Sequence, residues 1–256
     1  MRFSRERDVI GRGELTTDLR RKFEASEDAD FLPIWEMAKP HTMTSFERGH
    51  ALFRACRYVV ERQLPGAFVE CGVWQGGSAM IAMLALQRLG AGDREFFLFD
   101  TFDGMTPPTT EDMDWQGHDA EDLLEKDSGN REQSLVWAMA SIDVVRENIA
   151  KTGYNTGLVT FIEGDVSDTL PKTDTGAISI LRLDTDFYRS TLDELVILYP
   201  RLTPQGVLIV DDYGHWQGAR RAVDEYFSRS GDQFPDAPPP PLFHWIDYTG
   251  RMAVRL

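Results

Sequence analysis

Cysteine is scarce in this 256-residue chain, with only Cys56 and Cys71 present. Cys56 lies in an amphipathic stretch and Cys71 in a strand-like one. Both therefore read as buried free thiols, with no disulfide framework and a cytosolic location as the default. No apolar run approaches the ~18 residues of a membrane span. The opening segment, residues 1–22, is polar and lacks the apolar core of a signal peptide. Positive charge is also in short supply: 27 Lys plus Arg stand against 42 Asp plus Glu, a net −15. Such a field repels phosphate backbones and anionic lipid surfaces, so nucleic acid and membranes are not expected partners. It favours cationic ligands, or metals held by carboxylates. Disorder is not expected either, because 42% of residues are hydrophobic and the prolines and glycines are dispersed.

What is present is an alternation of short apolar strands and helices. Residues 1–40 have weak periodicity and mixed charge, and read as an N-terminal extension packing outside the main core. A single domain over 41–256 follows. Leu52, Ala55, Cys56, Val59 and Val60 recur at helical spacing until Pro65-Gly66 ends the helix. Strands are expected at 67–71, 96–99, 158–162, 178–183 and 207–210, with helices at 78–89, 134–150, 191–199 and 218–227. A hairpin of 242–247 and 251–256 closes the chain. Near-continuous apolar strands between helices predict a parallel sheet covered on both faces. With the hairpin added, the expectation is an α/β, Rossmann-like fold of methyltransferase type. Its seven-stranded sheet would be mostly parallel, with an antiparallel C-terminal pair. The segment 103–132, with 10 acidic and 2 basic residues, reads either as a lid over a pocket or as a solvated loop.

Ligands of open α/β sheets sit beyond the carboxyl ends of the strands. The first strand ends in Glu70-Cys71-Gly72-Val73-Trp74-Gln75-Gly76-Gly77-Ser78. Here glycines allow a tight turn and close backbone approach, and Ser78 can cap the next helix. The spacing is not that of a dinucleotide fingerprint, and Glu70 would repel a pyrophosphate while attracting a sulfonium or ammonium centre. Asp100, at the end of the second strand, suits the two hydroxyls of a ribose. The turn Gly164-Asp165-Val166 could flank an adenine ring; plain turns and caps are the competing explanation for both features. Asp184 closes the fourth strand and Asp211-Asp212 the fifth. If those strands are neighbours, three carboxylates converge. Oxygen-only ligation of that kind suits Mg²⁺ or another hard divalent ion. A cation there lowers the pKa of a bound hydroxyl, and Asp184 can serve as both ligand and base. Asp186 reads as exposed or supporting. His215 is a rival base or substrate contact, or simply structural.

These strand-end motifs resemble those of the macrocin-type (TylF) O-methyltransferases of antibiotic biosynthesis. The matching pieces are His41-Thr42-Met43, the Glu70–Gly77 loop, Asp100-Thr101-Phe102-Asp103-Gly104, Leu181-Arg182-Leu183-Asp184-Thr185-Asp186 and Val210-Asp211-Asp212-Tyr213. The resemblance implies S-adenosylmethionine as methyl donor and Mg²⁺ held by Asp184, Asp211 and Asp212, with Asp184 as the base. It also implies that Thr42, Met43, Glu70, Asp100 and the 164–166 turn touch the donor, alongside Gly72, Val73, Trp74 and Ser78 of the glycine loop. A homo-oligomer sharing N-terminal segments is implied as well. The N-terminal region and Gly214-His215-Trp216 depart from the pattern, so the acceptor is left as a hydroxyl of a sugar or another small natural-product intermediate. Two other readings stay open: a nicotinamide-dependent oxidoreductase on a similar sheet, and a non-catalytic S-adenosylmethionine-binding protein.

Overall fold

Five apolar segments become strands because their side chains meet helices on both sides. A computed structural model describes residues 17–228 and 238–256. Residues 1–16 of the expected extension, and 229–237 ahead of the proline run, lie outside this description. The strands are β1 (Ala67–Cys71), β2 (Phe96–Asp100), β3 (Val159–Glu163), β4 (Ile178–Leu183) and β5 (Leu202–Val210). All residues of β1 and β4 are buried, as expected of central parallel strands. The hairpin supplies β6 (His244–Trp245) and β7 (Arg251–Val254), and the sheet order is β3-β2-β1-β4-β5-β7-β6. The first five strands pair in parallel, whereas β7 runs antiparallel to both β5 and β6. The order reverses between β1 and β4, and a crevice opens beyond the strand ends at that point.

The helices are α1 (Thr17–Glu24), α2 (Phe31–Ala38), α3 (Phe46–Glu61), α4 (Gly77–Arg88), α5 (Ala120–Lys126), α6 (Ile142–Ala150), α7 (Val166–Thr169), α8 (Tyr188–Leu198) and α9 (Gln217–Phe227). Alternate residues of each strand feed two cores. Phe68, Phe96 and Ile180 join α2, α3, α4 and α6 on one face. Val69, Phe99 and Leu181 join α8 and α9 on the other. Both cysteines are buried and free. Among the described residues, no helix is long and apolar enough to cross a membrane.

Two local expectations are corrected. First, the segment expected to pack outside the main core contributes Phe31, Ile34, Trp35 and Ala38 to the larger cluster. Gly49 of α3 makes this fit, since a Cβ there would lie 2.8 Å from the Trp35 ring. Second, the helix expected over 134–150 begins only at Ile142. Upstream, the Ser134 hydroxyl accepts from the amides of Val136 and Trp137, and Trp137 Nε1 donates to Leu124 O at 3.0 Å. These local bonds compete with helix formation. The acidic stretch, read either as a lid or as a solvated loop, has fixed points. Asp112 is fully buried and accepts from the amides of Thr109 (2.6 Å) and Tyr188 (2.7 Å), the latter at the start of α8. Gln217, at the start of α9, donates from its backbone to Met113 O and from its side chain to Asp114 O. The segment is thus stapled to two helix N-termini, where a carboxylate meets favourable backbone dipoles.

Candidate active site

The ends of β1, β4 and β5 are brought level by bonds that continue past the strands. Asp184 N donates to Cys71 O and Asp211 N donates to Leu183 O, each at 2.9 Å. Gly72 adopts φ +82°, and a Cβ there would fall 2.0 Å from Asp184 O. Only glycine lets the first loop run flush against the backbone of Asp184. Beyond these ends lies a cleft of about 640 Å³. Thr42, Met43, Gly72, Val73, Trp74, Ser78, Asp100, Gly164 and Val166 line one part of it. Asp184, Asp186, Asp211 and Asp212 line another.

Not every expected donor contact lies on this surface. Glu70 is buried beneath it, with Oε1 accepting from Arg182 Nη1 at 2.7 Å. Asp165 caps α7 by accepting from Ser167 N at 2.8 Å. Asp100 faces the cleft while accepting from the amides of Val73 (2.6 Å), Trp74 (3.0 Å) and Phe102 (2.7 Å). Thr101 Oγ1 makes a fourth, long contact of 3.5 Å to its Oδ1, the weakest of the bonds on this carboxylate.

The structure brings Asp184, Asp211 and Asp212 together, and Asp186 joins them. Asp184 lies against both Asp211 and Asp212, and Asp212 lies against Asp186. One oxygen from each of Asp184, Asp186 and Asp212 falls within 4.8 Å of the others. Asp186 reaches in from a left-handed backbone, φ 68°, which aspartate tolerates better than most residues. Asp211 differs from its neighbours in having two cations. Arg182 Nη2 donates to Oδ1 at 2.6 Å, and Arg48 Nη1 donates to Oδ2. Arg48 Nε also donates to Asp247 Oδ2 at 3.1 Å, which ties the β6–β7 turn to the site. Burial pushes Asp184 and Asp212 well above the usual carboxylate range, and neighbouring carboxylates add to the shift. Burial pushes Asp186 up to about 7. Burial acts on Asp211 in the same direction, but Arg182 and Arg48 outweigh it and hold its carboxyl low.

Residues from the 41–43, 70–77, 100–104, 181–186 and 210–213 motifs, which carry the macrocin-type resemblance, meet at this one crevice. The macrocin-O-methyltransferase (TylF) family model matches residues 14–248. This chain belongs to that family. It is 36% identical over 191 residues to the 8-demethyl-8-(2,3-dimethoxy-α-L-rhamnosyl)-tetracenomycin-C 4′-O-methyltransferase of Streptomyces olivaceus, covering 75% of this chain and 69% of that one. It is 32% identical to the mycinamicin III 3″-O-methyltransferase of Micromonospora griseorubida, over 75% and 72% of the two chains. The solved structure of the O-methyltransferase NovP superimposes with a TM-score of 0.68 at 31% identity, covering 84% of this chain and 82% of that one.

For a TylF-family O-methyltransferase, the motif residues that sequence reasoning left without a role are informative. Arg182 is 3% exposed and is the one charged residue in the strand Ile178–Leu183. A charge in an otherwise apolar strand must find partners, and that signal was available in the sequence. Arg48 carried no such signal, because α3 has polar positions throughout. Glu194 of α8 is fully buried, and its Oε1 accepts from Thr185 Oγ1 at 2.9 Å, which steadies the turn between Asp184 and Asp186. His215 lines the cleft, with Nδ1 3.2 Å from the Tyr248 hydroxyl. Tyr213 is half-buried and donates to Asp224 at 2.8 Å.

Proposed function

We propose that the enzyme transfers the methyl group of S-adenosylmethionine to a hydroxyl of a sugar or small natural-product intermediate, with a divalent cation bound at the acidic cluster. The observation that carries this reading is the convergence of Asp184, Asp186, Asp211 and Asp212 beside the glycine-turn part of the same cleft. The residues fit a hard cation. All the donors are carboxylate oxygens, and Asp212 Oδ2 is buried without a hydrogen-bond partner. Asp184 and Asp212 are the proposed ligands. Asp211 stands beside them as the third expected ligand, although its two oxygens also meet Arg182 and Arg48 and it lies outside the set whose oxygens fall within 4.8 Å of one another. Asp186 is close enough to Asp212 to orient it or to share the ion.

A divalent cation in this place would supply Lewis acidity, making an acceptor hydroxyl easier to deprotonate. Asp184 takes the hydroxyl proton at its carboxylate as the methyl passes from sulfur to oxygen, so one C–O bond forms as one S–C bond breaks. Asp100 faces the cleft, where a ribose hydroxyl can replace the long contact from Thr101, while Gly72, Val73 and Trp74 bring the backbone close to the donor. Thr42, Met43 and Ser78 close the donor side, and Val166 offers an apolar surface for the adenine. The wall of the cleft carrying Trp115, His215 and Tyr248 is left to the acceptor.

A thermal-shift comparison tests the reading. S-adenosylhomocysteine should raise Tm and NADH should not, while Mg²⁺ or Mn²⁺ should add a separate increment. Methyl transfer should stop on exhaustive chelation and return when the metal is restored. Full activity after chelation would overturn the metal half of the reading. A shift with NADH alone would overturn the donor.

A further inference from the structure

Arg182 makes three charge-assisted bonds from one guanidinium: Nη1 to Glu70 Oε1 and to Asp184 Oδ2, both 2.7 Å, and Nη2 to Asp211 Oδ1 at 2.6 Å. Its partners stand on β1, just past the end of β4, and just past the end of β5. Within the ladder, Arg182 pairs with Glu70 on one side and Ile209 on the other. The side chain therefore spans three neighbouring strands in the layer directly beneath the acidic cluster. We infer that Arg182 is a positioning residue whose planar fork, anchored on Glu70, fixes how Asp184 and Asp211 face each other across the β4–β5 junction. The inference rests on the cation site proposed above and concerns how that site is held in shape.

Two observations favour a geometric role over simple charge neutralisation. Glu70 is 1% exposed and does not line the cleft, and among the described residues its carboxylate is hydrogen-bonded by Arg182 through Oε1, with Oε2 left without a partner. Above about pH 7, where Glu70 is ionised, the Glu70–Arg182 pair adds no net charge to the cluster, so there it contributes direction instead of neutralising. Asp211 moreover already has a second cation in Arg48. Arginine suits this task because its fixed fork addresses several carboxylates at once, whereas lysine offers a point charge on a flexible stem. Groups that orient metal ligands from behind typically control affinity by about 10- to 100-fold.

The test is Mn²⁺ binding, read by electron paramagnetic resonance on the full chain, for the wild type, R182K and R182M, with Tm and S-adenosylhomocysteine affinity measured alongside. The inference expects R182K to lose about 10- to 100-fold in Mn²⁺ affinity. It should keep S-adenosylhomocysteine affinity within about threefold, a selective loss that general loosening would not produce. If Arg182 only neutralises charge, R182K binds Mn²⁺ as the wild type does and a folded R182M binds it more tightly. Either result overturns the inference. R182M leaves Glu70 without its buried partner, so a misfolded R182M is set aside and R182K decides. A wild type that binds no Mn²⁺ overturns the cation site and the brace together, whereas equal binding by wild type and R182K removes the brace alone.

Discussion

The backbone carbonyl of Asp184 fills the place where Gly72 would carry a side chain: a Cβ on Gly72 would lie 2.0 Å from that oxygen. The donor loop and the acidic cluster are therefore in contact through backbone atoms, and one cannot shift without the other. The G72A variant should lose about 1–2 kcal/mol from the left-handed backbone alone, before the clash is counted. For a chain of this size the melting temperature should drop by roughly 2–4 °C per kcal/mol. Calorimetry and S-adenosylhomocysteine titration check this together. Unchanged values in both would mean that the contact is relieved at no cost.

Substituting D184N keeps the shape of the side chain but removes its basicity. We expect kcat to fall by about 10²–10⁴, the usual contribution of a general base, with S-adenosylhomocysteine affinity within about threefold of wild type. Single-turnover transfer of a labelled methyl group measures the first quantity, and calorimetric titration measures the second. Turnover at the wild-type rate would give the proton to another group, such as His215, which lines the same cleft.

The stability of the metal-free protein should respond to pH in an unusual direction. Burial raises Glu70 and Asp186 to about 7, above their ordinary values of 4.5 and 3.8. Between those ordinary values and about pH 7 the native state holds more protons than the unfolded chain. Stability from these two groups therefore falls as pH rises through that window and is recovered on acidification. Tm should increase on going from pH 8 to pH 6 in chelator, and saturating Mg²⁺ should flatten the rise. A Tm that climbs with pH across this range in chelator would contradict the assignment.

Asp112 holds the acidic segment against α8, and its removal should free that segment. The D112A variant strands the amides of Thr109 and Tyr188, at a cost of about 1–3 kcal/mol. Limited proteolysis should then cut within 103–132 at protease concentrations that leave the wild type intact. If the cutting pattern stays the same, the segment is held by other contacts.

Much of the fold was legible because the sheet is parallel and buried on both sides. Its strands appear as apolar runs such as Phe96–Asp100 and Ile178–Leu183, whose ends fall within a few residues of the expectation. The α6 boundary was not legible. Ser134 and Trp137 draw that stretch into local hydrogen bonds, and helical periodicity does not reveal them. The role of α2 in the core was hidden for a similar reason: Trp35 needs Gly49, fourteen residues away, and neither position carries a sign of the other.

The aspartates at the ends of β4 and β5 could be read in sequence, because side chains at strand termini project into one crevice once strand order is assumed. Which of them would be neutralised could not be read. Asp186 is drawn inward by a left-handed turn, and Asp211 is held between Arg182 and Arg48. Those arginines come from positions 29 and 163 residues away from it. Sequence determined the kinds of groups present and the strand ends that carry them, since both follow from local pattern. The tertiary structure alone decided their pairing and protonation, because the field at a buried carboxylate is set by charges brought near it from distant parts of the chain.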